Sequence, residues 1–152
     1  MVFMRIMGLD VGVKRIGIAI SDPMGWTAQG HSVLHRGQMK KDLESLARIC
    51  AEFEIEEIVL GYPLNMNGTV GSKAEEIKEF GRVLDDYLHL PISYWDERLT
   101  TVSAQRHLIA ADVSRQKRKE VVDKLAAVNI LQTYLDRISN KKFDKEAGKR
   151  IE

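Results

Sequence analysis

The stretch from Val2 to Ile20 constrains this chain most. Val2 to Leu9 are apolar apart from Arg5 and Gly8, which reads as a strand buried on both faces that ends at Asp10. Beyond Val11-Gly12-Val13, the residues Ile16, Ile18 and Ile20 alternate with Gly17 and Ala19. That period of two predicts a second strand, the hairpin partner of the first. Gly17 and Ala19 leave one face of it nearly bare, so close packing is expected there.

The rest of the chain alternates helix with strand. Asp22-Pro23-Met24-Gly25 signals a turn, and Trp26 to His35 reads as a third, edge-like strand. Leu43, Leu46, Ala47, Cys50 and Phe53 recur at helical spacing, predicting an amphipathic helix from about Lys40 to Glu54. Ile58 to Gly61 is a short buried strand, followed by a Pro-, Asn- and Gly-rich loop from Tyr62 to Gly71. Ser72 with Glu75 forms an expected capping box for a second helix, with Ala74, Ile77, Leu84 and Leu88 as its stripe. Pro91 to Trp95 is a fifth strand ending at Asp96-Glu97, and Thr100 or Thr101 is placed to cap a helix toward Ile109. A last helix is expected from about Lys119 to Ile138, its core face made by Val121, Leu125, Val128, Leu131, Leu135 and Ile138. This order implies an α/β layer fold, a mixed five-stranded sheet with helices on both faces, as in RNase H-like topology. Residues 1–139 are read as one domain and 140–152 as a charged, frayed or disordered tail.

A chain of 152 residues, 44% hydrophobic, is long enough to bury a core without disulfides. Its single cysteine, Cys50, falls on a helix stripe and is expected to be a buried thiol in a reducing cytoplasm. No apolar run reaches the roughly 20 residues that span a bilayer, and no signal-peptide core is present. A net charge of +1 carries no global argument for nucleic acid. Local charge is more telling, because Arg115, Lys117, Arg118 and Lys119 form the densest cation cluster.

Three acids stand out against this background. Asp10 closes an apolar strand, where an unpaired carboxylate is costly. Glu97 directly follows another buried strand, with Asp96 pointing to the opposite face. Asp123 lies off the apolar stripe of the last helix, flanked by Ala126, Ala127 and Ile130, small enough for close approach to the sheet. Each alone also has a structural reading: Asp10 as a turn cap with Gly12, Glu97 in a solvated loop, Asp123 complementing a helix dipole. Together they can converge, and convergent carboxylates repel unless a cation sits among them. Oxygen ligands suit Mg²⁺ or Mn²⁺, and two such ions would promote in-line hydrolysis of a phosphodiester.

Four segments resemble the motifs of the YqgF family: Gly8-Leu9-Asp10-Val11-Gly12-Val13-Lys14-Arg15-Ile16-Gly17, Gly61-Tyr62-Pro63-Leu64-Asn65-Met66-Asn67-Gly68, Trp95-Asp96-Glu97-Arg98-Leu99-Thr100-Thr101 and Val122-Asp123-Lys124-Leu125-Ala126-Ala127. The resemblance covers nearly the whole chain and implies an RNase H-like, bacterial, cytoplasmic protein. Members are described as Holliday-junction resolvases or as nucleases of pre-16S ribosomal RNA. On that resemblance Asp10, Glu97 and Asp123 take the metal-binding and catalytic roles, the substrate being an RNA precursor or branched DNA and ribosomal particles possible partners.

Lys14, Arg15 and Arg98 flank the acids and are candidate phosphate ligands. Asn65 and Asn67 offer amide donors, although Pro-Asn-Gly loops are most often only turns. The cluster Arg115 to Lys119 is expected to be a mobile arm closing on a nucleic-acid backbone. Trp26 and Trp95 read as core aromatics within strands. A rival nucleotide-binding reading of Gly12 to Gly17 fails, because Ile18 stands where a P-loop needs lysine. A binding factor that has lost its chemistry is the other rival, and the intact acids argue against it.

Overall fold

The computed structural model describes residues 5–99 and 115–151, and in it the period-two pattern sorts side chains onto two faces of one sheet. Strands β1 (Arg5–Val11), β2 (Arg15–Ser21) and β3 (Ala28–His35) form an antiparallel meander. Helix α1 (Met39–Glu52) leads to β4 (Ile55–Tyr62), which pairs parallel to β1. Helix α2 (Ser72–Leu88) leads to β5 (Ile92–Asp96), parallel to β4, and a 3₁₀ turn follows at Glu97–Leu99. The last helix, α3, spans Arg115–Ile151. The sheet order is β3-β2-β1-β4-β5, so β1 is central and the mixed five-stranded sheet is as expected.

One face is large and apolar. Met7, Leu9 and Val11 of β1, Ile16, Ile18 and Ile20 of β2 and Ile58 and Leu60 of β4 pack with Leu43, Leu46 and Cys50 of α1 and Ile77, Phe80 and Leu84 of α2. The opposite face presents small residues to α3. There Ile6, Ala19 and Val59 meet Ala127, Ile130, Leu131 and Leu135, with Trp95 and Tyr134 beside them. A methyl group on Gly8 would lie 2.7 Å from the Leu131 Cβ, and one on Gly17 would lie 2.0 Å from the Asp123 carbonyl oxygen. The bare face therefore lets a helix backbone settle directly on the strands. Hydrogen bonds fix it there: the Gln132 amide donates to the Trp26 carbonyl at 3.0 Å and its oxygen accepts from the Ala28 N–H at 2.9 Å. At the far edge the Tyr134 hydroxyl donates to Glu57, which also accepts from the Ser93 hydroxyl at 2.7 Å.

Several expectations need correction. The capping box is not formed: Gly71 is the N-cap of α2 and no side chain caps it, because the helix already includes Ser72. Trp26 is 66% exposed in the loop before β3 rather than in the core. Trp95 is partly buried as expected, its ring edge-on to Tyr134 at 5.8 Å. The core face of α3 is centred on Ala127, Ile130, Leu131 and Leu135, whereas Val121 and Leu125 are only half-buried. Asp123 over Gly17 and Leu131 over Gly8 fix which side of the helix faces the strands, and Ala127 lies between them on that side. The backbone of α3 begins at Arg115 and continues to Ile151, beyond the expected ends at Lys119 and Ile138. Lys, Arg, Glu and Ala are good helix formers at both ends. The proposed cap at Thr100 or Thr101 and the helix toward Ile109 lie outside the described residues.

Candidate active site

Asp10 lies in β1 opposite Gly17 of β2, on the same face of the sheet as Gly8. Val11 after it points to the apolar face, so Asp10 is turned toward α3. Gly17 is the position over which the Asp123 backbone sits, and this close approach brings the first turns of α3 beside Asp10. On the other side of β1, Gly61 of β4 makes room for the third acid. A methyl group there would lie 2.6 Å from both Glu97 Oε1 and Ile130 Cδ1. The two glycines thus act as cradles, one under Asp123 and one under Glu97.

The three acids share an electrostatic environment. Burial, with the negative charges of Glu97 and Asp123 adding to it, pushes the Asp10 carboxyl from 3.8 up to about 6, and Lys73 opposes the shift. Burial also raises Glu97, again against Lys73, with Asp96 contributing. Lys73, the second residue of α2, is the member that the sequence reading misses. Its only signal is a position just beyond the Pro-Asn-Gly loop, where a helix start is turned toward the ends of β1 and β4.

Asp123 is engaged by Arg15, whose Nε donates to Oδ2 at 2.6 Å. Among the described residues no group of three or more His, Cys, Asp or Glu is arranged to hold a metal ion. The chemistry of the candidate donors nevertheless fits a hard cation: they are carboxylate oxygens, and burial, with the charges of Glu97 and Asp123 added, raises Asp10 against Lys73. Asp10 lies in the field of both other acids, and Asp123 is held by Arg15.

The remaining candidates divide. Arg98 forks onto Asp96, with Nη2 donating at 2.7 Å and Nε at 3.0 Å, and its Nη1 reaches the Met66 carbonyl at 3.1 Å. These bonds hold the carboxyl of Asp96 below its usual range and tie the 3₁₀ turn to the loop of Met66. Asn65 and Asn67 serve that loop as well. The Asn65 amide donates to the Thr69 hydroxyl at 3.0 Å, and the Asn67 oxygen accepts from the same residue's hydroxyl at 2.6 Å. Both asparagines make these bonds within their own turn. Lys14 is exposed at the β1-β2 connection.

The basic cluster is not a loop arm, since Arg115 to Lys119 form the opening turns of α3. Helical spacing sets Arg115 and Lys119 on one side. With Arg15, His35 and Glu120 they line a cleft of about 380 Å³, and Lys117 and Arg118 are not among its walls.

Comparison with known proteins gives the family and the fold. The RuvX family profile, described as Holliday junction resolvase, matches residues 4–137. Three relatives are each named "Putative pre-16S rRNA nuclease". The protein from Syntrophomonas wolfei is 64% identical over 133 residues, covering 88% of this chain and 94% of its own. Heliobacterium modesticaldum has one at 59%, covering 88% and 89%, and Clostridium botulinum strain Alaska E43 one at 53%, covering 90% and 99%. Among solved structures, RuvC from T. thermophilus in complex with a Holliday junction superimposes with a TM-score of 0.55 at 11% identity, covering 90% and 96% of the two chains. The Fowlpox virus resolvase with junction DNA gives 0.55 at 15%, covering 89% and 99%. These two establish the RNase H-like layering of sheet and helices, and the profile and relatives together establish that this chain belongs to the RuvX family.

Proposed function

We propose that this protein is a divalent-metal-dependent nuclease that hydrolyses phosphodiester bonds in the maturation of pre-16S ribosomal RNA in the cytoplasm. One observation carries the reading: in a RuvX chain, the buried carboxyl of Asp10 lies in the field of Glu97 and Asp123. The names of the relatives supply the substrate. Asp10, Glu97 and Asp123 would hold Mg²⁺ or Mn²⁺, and the two-ion arrangement suits the chemistry. Such ions, when bound, would supply an activated water and neutralise the leaving oxygen.

The chain's own residues do the rest. Gly17 and Gly61 allow Asp123 and Glu97 to approach, and Lys73 tempers the repulsion between Asp10 and Glu97 in the free protein. The Asp96–Arg98 fork anchors the turn that carries Glu97. Cys50 takes no part, its buried thiol being pushed up to about 11.

Incubating purified protein with a pre-16S transcript and with a four-way DNA junction, in Mg²⁺ or Mn²⁺, tests the proposal. Cleavage of the transcript is expected, with loss on adding EDTA and in each of Asp10→Asn, Glu97→Gln and Asp123→Asn. Cleavage of the junction alone would move the reading to branched DNA, the substrate class in the family's description. Undiminished turnover in EDTA would remove the metal mechanism.

A further inference from the structure

The ion pair between Arg15 and Asp123 and the basic cleft beside it share one residue. Arg15 opens β2 and Asp123 lies 108 positions later on α3, so only the fold brings them together. Their side chains are 28% and 21% exposed, which leaves the contact reachable from solvent. Among the described residues, the Nε bond to Asp123 is the one hydrogen bond that the Arg15 guanidinium makes, although that group carries five N–H donors. Arg15 is also a wall of the 380 Å³ cleft with Arg115, Lys119, His35 and Glu120. The cleft's fixed charges are the cations Arg15, Arg115 and Lys119 against one carboxylate, Glu120, which His35 approaches at 3.1 Å.

We propose that Arg15 is a latch: a nucleic-acid phosphate entering this cleft draws the guanidinium off Asp123 and frees that carboxylate for the metal site. The inference rests on the nuclease reading and gives the cleft and Arg15 specific parts in it. A phosphate and a carboxylate compete for the same planar donors, and a phosphodiester accepts two of them at once. Without substrate the guanidinium neutralises Asp123 and withholds a ligand from the metal. With substrate, Arg115 and Lys119 help to hold the phosphate at the cleft, and the released Asp123 faces Asp10. Metal affinity is therefore coupled to backbone binding, and the coupling must be reciprocal.

The test titrates Mn²⁺ into the full-length protein and reads free Mn²⁺ by electron paramagnetic resonance. It is done with and without a short single-stranded oligonucleotide whose phosphorothioate linkages resist hydrolysis. Arg15→Gln is expected to bind Mn²⁺ alone about tenfold more tightly than wild type, in the range of ordinary coupling free energies. The oligonucleotide should tighten Mn²⁺ binding to wild type by a similar factor and barely affect Arg15→Gln. Arg15→Gln binding Mn²⁺ equally or more weakly would overturn the latch, as would equal tightening in both proteins, the result expected if phosphate simply ligates the metal. A second variant, Arg115→Ser with Lys119→Ser, alters exposed helix positions only and keeps the test independent of how Arg15→Gln folds. It should lose the oligonucleotide's effect on Mn²⁺ binding, and a full effect there overturns the proposal. Metal and oligonucleotide binding without coupling would sink the latch and leave the nuclease reading standing. Binding of neither would sink both.

Discussion

A carboxyl that keeps its proton to about pH 6 makes Asp10 a cost to the metal-free fold at neutral pH. Its folded pKa lies above the ordinary 3.8, so its favourable contribution is complete below that value and is lost as pH rises through about 6. Asp10→Asn carries no such charge. In EDTA the variant should therefore gain on wild type as pH rises from about 4 to 7, by on the order of 1 to 3 kcal/mol. Excess Mg²⁺ at neutral pH should reverse the ranking, because the ion stabilises the protein that binds it. Thermal melts across that range decide the point, and a flat or falling difference in EDTA would return Asp10 to a turn-capping role. Gly61 makes a second residue-scale case. The atoms that a methyl group would meet are the ends of the Glu97 and Ile130 side chains rather than backbone. Gly61→Ala should cost roughly 1 to 3 kcal/mol in denaturant melts, yet lower turnover by about 10²-fold through a misplaced Glu97. Equal activity would show that Glu97 does not need its present position.

Among elements, α3 matters most, because its fit to the sheet sets where Asp123 stands. A methyl group on Gly17 meets the Asp123 carbonyl oxygen at 2.0 Å, a backbone atom that cannot rotate away. Gly17→Ala should thus lift the helix, destabilising by at least about 1 to 3 kcal/mol and abolishing turnover. Gly30 supplies the control. Its nearest neighbours, Val128 and Lys124, would be 3.6 and 3.7 Å away, so Gly30→Ala should stay within roughly 0.5 kcal/mol of wild type by thermal melt. Equal effects of the two would refute the cradle. The sheet side of this contact was legible in sequence, since Ile16, Ile18 and Ile20 against Gly17 and Ala19 announce one full face and one bare one. The helix side was less so. Counting apolar residues favours Val121 and Leu125, whereas the packing selects the side carrying Asp123, Ala127 and Leu131, because there the strand glycines admit the helix backbone. At the site, strand ends made Asp10 and Glu97 visible, and the alanines marked Asp123. The pairing of Arg15 with Asp123 and the reach of Lys73 were not legible, because both depend on how distant elements are laid over one another.

For the molecule as a whole, charge is balanced in sum and uneven in place, and this predicts how affinity responds to salt. With a net charge of +1, little long-range attraction to a polyanion comes from the whole surface. Binding must then draw on the few cations that meet phosphates, each of which releases counterions on contact. Sequence alone treats Arg115, Lys117, Arg118 and Lys119 as one arm, for which replacement by Ser would flatten the plot of log affinity against log salt by roughly 3 units. The helix divides them, since only Arg115 and Lys119 line the cleft with Arg15. Replacing those two by Ser should flatten the slope by about 1.4 to 1.8, at 0.7 to 0.9 per phosphate. Replacing Lys117 and Arg118 by Ser should leave it nearly unchanged. Fluorescence anisotropy with a labelled oligonucleotide, in EDTA so that no cleavage intervenes, measures both slopes. Equal flattening by the two pairs would mean that the backbone wraps the start of α3 rather than entering the cleft. No flattening by either would place the nucleic acid on another surface, and the route from phosphate to Arg15 to Asp123 would be lost with it.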